Sequence, residues 1–244
     1  MKNKIALIVS FLLFMFSLSF FLPLANGIEI SGDLTTGTVV DSNVGSMVST
    51  SGVEYTVTSP PPCQTFEGIV YAFDGSELTK FCSGFWTSDV SSSIIFTFKS
   101  GKVNVNGVKI KTANDSAWFW ERNPLSWILS GSNDGIKWTQ LKVHSYDPAI
   151  VSFLGNYQDY PAVVVSHVGS FSKLRFQVTS KLDNSSSEIQ FSELVFTGIY
   201  SGSLCDFKGN SANAKNSTGG NKSSSPANTK SQGAGACQNA ATRN

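Results

Sequence analysis

Charged residues are scarce in this 244-residue chain, at 14% of the sequence. This scarcity argues against a coiled coil, which needs many Glu, Lys and Leu residues. The formal net charge is only +1, which argues against a strongly basic nucleic-acid binder. Ser, Thr, Asn and Gly are abundant instead, and this composition is typical of extracellular β proteins.

Residues that could form a catalytic or zinc site are also few. The chain has two histidines, and its four cysteines, at positions 63, 82, 205 and 237, match no zinc motif. The sequence contains no Gly-x-Ser-x-Gly, no His-Glu-x-x-His and no phosphate-binding loop. We therefore predict that the protein is not an enzyme, although two acidic residues brought together by the fold for glycoside hydrolysis would leave no motif.

The amino terminus has the pattern of a secretory signal peptide. Lys2 and Lys4 precede an apolar run from Ile5 to Leu24, and Ala25-Asn26-Gly27 places small residues at the −3 and −1 positions. Residues 1–27 are therefore predicted to be a signal peptide, and the protein is predicted to be secreted. An uncleaved anchor is the alternative, because about twenty residues can just span a bilayer.

Sequons and cysteines agree with an extracellular location. Four Asn-x-Ser/Thr sequons predict glycosylation at Asn114, Asn184, Asn216 and Asn221. The even number of cysteines fits an oxidising compartment. Three pairings are possible, and we predict the two that are local in sequence, Cys63–Cys82 and Cys205–Cys237.

Short β-rich runs separated by turn residues occupy the middle of the chain. Val53–Thr58 alternates apolar and polar residues, as a half-buried strand does. Lys102–Lys111 surrounds Asn106-Gly107, which predicts either a hairpin turn or one strand with a bulge. The other runs are Ser93–Lys99, Leu125–Ser130, Lys137–Val143, Val163–Val165, Lys173–Thr179 and Glu188–Gly198. No segment has a sustained 3.6-residue period, so we predict an all-β antiparallel sandwich.

Two flanking segments differ from this pattern. Residues 28–52 have few large apolar side chains and are predicted to be an extension, either an edge strand or a loose arm. No large apolar residue follows Phe207, so residues 201–244 cannot bury enough surface to offset their ordering entropy. We predict a disordered tail there and place the sandwich domain at residues 53–200.

Three stretches, in this order, resemble one family. Ala72–Phe81 (AFDGSELTKF) resembles the opening segment of the discoidin, or coagulation factor 5/8 type C, domains. Thr112–Thr139 resembles their central segment through its Asn-Asp, Glu-Arg-Asn-Pro and Ser-Asn-Asp-Gly elements, and Ile189–Gly198 (IQFSELVFTG) resembles their closing strand. The resemblance implies an eight-stranded jelly roll of the galactose-binding-like fold. It also implies binding rather than catalysis, with loops at one end holding a sugar, a lipid headgroup or a protein.

The resemblance further implies a structural Ca²⁺ ion held by the turn of Asp74 and Thr79 together with Glu193. The chemistry is reasonable, because Ca²⁺ takes six to eight oxygen ligands and this turn supplies carbonyl, carboxylate and hydroxyl oxygens. The alternative is an Asx-turn at Asp74, with Glu193 hydrogen-bonded to backbone amides. Glu193 alternates with Phe191 and Val195, so we do not expect it to point freely into water.

An aromatic triplet, Trp118-Phe119-Trp120, lies in a loop that is about three residues longer than the family pattern. Its rings could stack on a sugar, enter a membrane interface, dock on a protein or cover the core as a lid. Arg122 could bind a sugar or a carboxylate, or pair with Asp115 or Glu121 within the loop. We therefore take Trp118, Phe119, Trp120 and Arg122 as candidate ligand-binding residues.

The remaining candidates are weaker. Trp127 and Trp138 flank the Ser-Asn-Asp-Gly turn and are predicted to be core or sheet-face residues. His144 and His167 match no motif and are predicted to be ordinary loop or surface residues.

The function predicted from the sequence is that of a secreted carbohydrate-binding module whose partner is a glycan or glycoprotein. The alternative is a cell-surface or extracellular-matrix adhesion protein that contacts protein or membrane lipid through the aromatic loop. A module that assists an enzyme, without an enzyme attached, is a third possibility. Binding to nucleic acid is not expected.

Overall fold

The computed structural model describes residues 28–202. The predicted signal peptide, the predicted pair Cys205–Cys237, the sequons at Asn216 and Asn221 and nearly all of the predicted tail lie outside these residues. Between residues 28 and 202, no helix is long and apolar enough to cross a membrane.

Strands dominate the described part of the chain. Thirteen are present in residues 28–202: β1 (Ile28–Asp33), β2 (Gly37–Asp41), β3 (Ser46–Ser49), β4 (Glu54–Thr58), β5 (Phe81–Ser83), β6 (Ile94–Phe98), β7 (Gly101–Lys111), β8 (Pro124–Ser132), β9 (Thr139–Ser145), β10 (Val163–Val164), β11 (Lys173–Lys181), β12 (Ile189–Phe191) and β13 (Glu193–Gly202). One short helix, α1 (Pro148–Ser152), and the 3₁₀ turns Ile69–Ala72, Val90–Ser92 and Trp120–Arg122 complete the set.

The strands form three antiparallel sheets. A four-stranded sheet has the order β1-β13-β7-β10, and a seven-stranded sheet has the order β2-β3-β4-β6-β11-β8-β9. A small third sheet pairs β5 with β12. The architecture is therefore the predicted all-β antiparallel sandwich, with more strands than the eight that the family resemblance implies.

The core lies between the two larger sheets. Phe96 of β6 meets Phe196 of β13 with ring centroids 5.0 Å apart, and both side chains are fully buried. Phe73, which precedes the Asp74 turn, packs edge-on against Phe96 at 5.2 Å. Burying a side chain of this size contributes roughly 1.5–3 kcal/mol, so these contacts hold the two sheets face to face. The Asp74 turn is anchored to the core through its neighbour.

The amino-terminal segment belongs to the sandwich. β1 pairs with β13 along its whole length, from Ile28 opposite Gly202 to Asp33 opposite Thr197. β2 and β3 extend the seven-stranded sheet, and Met47 is fully buried. The predicted boundary at residue 53 therefore does not separate an extension from the sheets. The Ser/Thr-rich composition obscured these strands because few of their side chains are large and apolar.

The Asn106-Gly107 pair lies inside one strand. Gly107 is opposite Thr197 and Val105 is opposite Gly198, so Asn106 is the extra residue of a bulge. Of the two alternatives that the sequence left open, the structure has the bulged strand, because both halves of β7 pair with the same neighbour.

Three loops meet at one end of the sandwich, which we call the loop end. They are residues 112–123 after β7, residues 146–159 after β9 and residues 182–188 after β11. Hydrogen bonds join them: the amide of Ala117 donates to Asn156 Oδ1 (2.7 Å), and the amide of Leu182 donates to the carbonyl of Asn123 (3.0 Å). The predicted Ser132–Gly135 turn lies at the opposite end, where Gly135 has a φ of 78°.

Candidate functional site

The loop of residues 112–123 is closed at its base by buried polar side chains. The Ser116 hydroxyl donates to Asn123 Oδ1 at 2.9 Å and accepts from the amide of Ala113 at 2.9 Å. Both Ser116 and Asn123 are fully buried. Because the two ends of the loop are held together at this point, residues 117–122 project outward from the sandwich.

The three rings of the aromatic triplet lie on this projecting part. Trp118 is 81% exposed, Phe119 37% and Trp120 43%. Trp118 therefore projects freely, whereas Phe119 and Trp120 are each more than half covered, so the triplet as a whole does not form a buried lid over the core. The backbone amides of Trp118 and Phe119 donate to the carbonyl of Asp115 at 2.9 and 3.1 Å, which fixes the turn that presents the first ring.

Arg122 connects the aromatic loop to its neighbour. Its guanidinium lies 4.0 Å from the centroid of the Phe119 ring. Its Nη2 is 2.5 Å from a carboxylate oxygen of Glu188, and its Nε is 3.9 Å from Glu121. The sequence offered Asp115 and Glu121 as ion-pair partners of Arg122. In the structure Glu121 is a distant partner, and Asp115 pairs with Lys80 instead. Glu188 lies 66 positions after Arg122, and nothing in the sequence indicated that the two side chains would meet.

A buried lysine holds Asp115. Lys80 is only 7% exposed, and its Nζ lies 2.5 Å from Asp115 Oδ2, 3.3 Å from Glu67 Oε1 and 3.2 Å from Gln190 Oε1. A buried ammonium needs such partners, since an isolated buried charge is costly. Lys80 therefore ties the base of the aromatic loop to the segment that precedes β5. Lys80 lies within Ala72–Phe81, the stretch that resembles the opening segment of the discoidin domains, but nothing in the sequence indicated that it would bind Asp115.

A second lysine shapes the loop that carries Glu188. The Lys181 ammonium donates to the carbonyls of Ser186 and of Glu188, the latter at 3.0 Å. The same group lies 5.0 Å from the Trp86 ring centroid. Burial lowers the pKa of Lys181. These contacts hold residues 182–188 in the position that presents Glu188 to Arg122.

The cysteines at this end are joined as Cys63–Cys82, which is the first of the two pairs predicted from sequence. The amide of Cys63 also donates to the carbonyl of Cys82 at 2.8 Å. Among residues 28–202, Cys63, Cys82 and Glu188 are the only three His, Cys, Asp or Glu residues whose ligand atoms all lie within 4.8 Å of one another. Because both sulfurs are in the disulfide, this group is not a metal site. The bridge instead fixes the segment that contains Glu67 and Lys80.

Glu193 is a buried acid without an ordinary hydrogen-bond partner. It is 8% exposed, and neither of its carboxylate oxygens accepts a hydrogen bond of ordinary geometry. Burial, together with the nearby negative charges of Asp74 and Asp33, raises the pKa of Glu193 to about 8. Lys111 opposes this rise in pKa, but its Nζ is bonded to Glu77 at 2.5 Å. The backbone amide of Gly75 also opposes the rise in pKa, so the alternative in which backbone amides hold Glu193 is met by one weak contact.

Asp74 forms the Asx-turn that the sequence suggested. Its Oδ1 accepts from the amide of Ser76 at 2.9 Å, and the Thr79 hydroxyl donates to its Oδ2 at 2.9 Å. Glu193 and Gly75 line the same surface depression, whose volume is about 180 Å³. Lys109, Lys111, Ile110 and Val195 also line this depression, so the oxygens that suit a hard divalent cation such as Ca²⁺ are those of the Glu193 carboxylate and of its close neighbours. Glu193 and Asp74 would hold the ion together with backbone carbonyls, while the Thr79 hydroxyl is already engaged with Asp74.

The other sequence candidates lie elsewhere in the fold. Trp127 is fully buried, and Trp138 is covered by the Arg175 guanidinium at 4.6 Å from its ring centroid. His144 stacks between Trp127 and Tyr146, with ring centroids 5.3 and 4.4 Å away, and burial lowers its pKa. His167 lies 6.0 Å from the Phe171 ring at the end opposite the aromatic loop. These side chains pack against the sheets and do not join the aromatic triplet.

Known structures with a similar chain path are family 32 carbohydrate-binding modules of Clostridium perfringens, which have the discoidin or galactose-binding-like fold. The CBM32 of NanJ, determined with galactose, is 12% identical, with a TM-score of 0.44 over 70% of this chain and 99% of that one. CpGH89CBM32-5, determined with GalNAc-β-1,3-galactose, is 13% identical, with a TM-score of 0.42 over 59% of this chain and 94% of that one.

A third neighbour from the same organism is CBM32-3 of a family 31 glycoside hydrolase. It is 18% identical, with a TM-score of 0.46 over 64% of this chain and 97% of that one. At these identities and TM-scores, the likeness is one of overall fold at most. No protein-family model matches the chain, and no curated protein matches it.

Proposed function

We propose that this protein is a non-catalytic carbohydrate-binding module that recognises a glycan through the loop of residues 112–123. The observation that carries the proposal is Trp118, an indole ring that is 81% exposed on a loop closed by buried polar contacts. The apolar face of a sugar ring stacks on an aromatic ring of this kind. Because the loop base is already held, binding costs little ordering of the protein.

Polar groups beside the rings support the same ligand class. The guanidinium of Arg122 supplies several N–H donors in a plane, and the carboxylate of Glu188 supplies acceptors. Arg122 Nη2 and a carboxylate oxygen of Glu188 are 2.5 Å apart, so donors and acceptors lie together next to Phe119. Sugar hydroxyls both donate and accept, so such a pair can bind neighbouring hydroxyl groups of one ring.

A membrane surface is the second candidate, and the exposed rings of Trp118 and Trp120 are the observation that favours it. The charge of the domain opposes it. Residues 28–202 contain 11 basic and 16 acidic side chains, and Arg122 is already paired with Glu188. Anionic lipid surfaces attract basic segments, so we place carbohydrate first.

The test compares two exposed apolar positions at opposite ends of the sandwich. Trp118→Ala should lower the affinity for the best ligand on a glycan array by at least about thirtyfold, because truncating a stacked ring costs about 2 kcal/mol. Ile136→Ala, which removes an 83% exposed side chain beside the far turn, is the control and should leave the affinity unchanged. Isothermal titration with galactose and GalNAc, the sugars in the neighbouring structures, extends the array.

Two results would contradict the proposal. One is the absence of any glycan ligand together with Trp118-dependent binding to anionic vesicles, which would place the membrane first. The other is glycan binding that Trp118→Ala leaves intact, because the sugar would then be held elsewhere.

The accompanying expectations form part of the same proposal. We propose that Ca²⁺ stabilises the turn of Asp74 through Glu193 and nearby carbonyl oxygens, without contacting the glycan. We propose that the protein acts outside the cell, since its disulfide requires an oxidising compartment, and that it is glycosylated at sequons such as Asn184, whose side chain is exposed.

A further inference from the structure

A second loop lies against the first. The Thr112 hydroxyl donates to the carbonyl of Gly155 at 2.6 Å and accepts from the amide of Gln158 at 2.7 Å. The amide of Ala117, next to Trp118, donates to Asn156 Oδ1 at 2.7 Å. Residues 153–158 are therefore fixed to both the base and the projecting part of the aromatic loop, and the two loops form one continuous surface.

Tyr157 in this second loop has an unusual backbone conformation. Its φ of 57° makes it the only non-glycine residue of the described range with a positive φ. A bulky side chain seldom adopts this left-handed conformation, and such strain persists only where the surroundings impose it. Here the residues on either side hold it in place: the backbone amide of Gln158 is bonded to Thr112, and the side chain of Asn156 is bonded to the amide of Ala117. The Tyr157 ring is 37% exposed, so the strain is not compensated by full burial of the ring.

Phe153 presents a further ring at the start of the same loop. It is 88% exposed, and it follows α1 directly. The helix is capped by the Asp147 side chain, which accepts from the amide of Ala149 at 2.9 Å, and the amide of Phe153 donates to the carbonyl of Ile150 at 3.2 Å. An exposed phenylalanine on a capped turn contributes little to the core, and together with Trp118 and Tyr157 it makes the loop end rich in exposed aromatic rings.

From this arrangement we propose that residues 153–158 are a second aromatic subsite, so that the protein binds a glycan chain of several sugar units rather than one terminal sugar. The inference rests on the proposed function and extends it. Trp118 would receive one unit, and Tyr157 with Phe153 would receive another. The side chains of Asn156 and Gln158 are polar and lie in the same loop, which suits the hydroxyl groups of a chain better than a lipid surface.

Two variants remove the second subsite while sparing the first. Phe153→Ala truncates an exposed ring, and Tyr157→Asn removes the other ring while keeping a residue that tolerates positive φ. The double variant should fold with an unchanged melting temperature. Ile136→Ala is again the control at the far end.

The experiment titrates each protein with two series of ligands by calorimetry. The first series runs from galactose to β-linked galacto-oligosaccharides of up to four units, and the second from glucose to cello-oligosaccharides of the same lengths. In the unaltered protein, affinity should rise about tenfold or more from one unit to three, which corresponds to about 1.4 kcal/mol. The double variant should lose this rise and keep its affinity for the single sugar, whereas Trp118→Ala should weaken both.

The outcomes separate the two proposals. Equal affinity for one and three units in the unaltered protein, or a rise that survives in the double variant, overturns the second subsite and leaves the glycan site at Trp118 intact. If no member of either series binds and no glycan binds on the array, the proposed function fails and this inference fails with it.

Discussion

Glu193 shows how one residue can depend on its surroundings for its charge. The fold buries this carboxylate beside Asp74 and Asp33, and the backbone amide of Gly75 compensates for only part of the lost water. Burial and like charge both favour the neutral acid, so the pKa rises from its ordinary 4.5 to about 8. A divalent cation would reverse this preference, because the ionised carboxylate is the better ligand.

In the presence of a chelator, the free energy of unfolding should therefore decrease as the pH rises. Between about 4.5 and 8 the folded state keeps a proton on Glu193 that the unfolded chain has released, so stability is fully present below 4.5 and is lost as the pH passes 8. After allowance for solvent screening, we expect a loss of roughly 2 kcal/mol in the free energy of unfolding. Urea denaturation at pH 5 and pH 8.5 measures it.

Glu193→Gln is the matched control for this prediction, because glutamine has the same shape and does not titrate. The variant should lose less stability than the unaltered protein over the same pH range, by about the amount attributed to Glu193. Equal pH dependence in the two proteins would show that other groups cause the effect.

At the scale of elements, the aromatic loop owes its position to partners far away in sequence. Its base is tied to Lys80, which lies 35 positions before Asp115, and its tip is tied to Glu188 through Arg122. The strands on either side, β7 and β8, are recognisable from their own alternation. The loop between them is aimed by charged side chains whose pairing has no periodic pattern.

Lys80→Met should destabilise the protein by about 3 kcal/mol or more, because it leaves the carboxylates of Glu67 and Asp115 without their buried cation. Lys99→Met is the comparison: Lys99 is 43% exposed and lies 3.6 Å from Glu54, so its loss should cost less than about 1 kcal/mol. Urea denaturation of both variants tests the difference. Similar losses in the two variants would mean that Lys80 has no special role.

For the molecule as a whole, the proposed cation would link the Asp74 turn of one segment to β13 at the other end of the described chain. A ligand that binds only the folded state stabilises it by RT ln(1 + [L]/Kd). Such an effect belongs to the entire domain, because unfolding of the sandwich separates Asp74 from Glu193.

Excess Ca²⁺ should therefore raise the melting temperature of metal-stripped protein. At a concentration about 100 times the dissociation constant, the gain is about 2.7 kcal/mol, or roughly 5–10 °C for a domain of this size. Scanning calorimetry with Ca²⁺, Mg²⁺ and chelator measures the shift, and Glu193→Gln should lose most of it. Identical melting in excess Ca²⁺ and in chelator would contradict the cation site.

Local features were predictable from the sequence because their causes lie within a few residues. Alternation along β4, β6 and β11 predicted the strands, Asp134 and Gly135 predicted the far turn, and the spacing of Cys63 and Cys82 favoured their pairing. The polar residues around the aromatic triplet also led to the expectation that at least one ring is exposed, and all three are.

Tertiary structure alone decided what these local features contact. The strands of residues 28–52 form by pairing with neighbours such as β13, so their own composition predicted only an edge strand or a loose arm. Arg122 meets Glu188, and Ala117 meets Asn156, across 66 and 39 positions of sequence. Contacts at such separations arise because the packed sheets bring the loops together. The periodicity of the sequence and the spacing of its residues do not predict them. The sequence by itself determined the main strands after residue 53 and the aromatic loop, and the packing of the two sheets determined which side chains surround that loop.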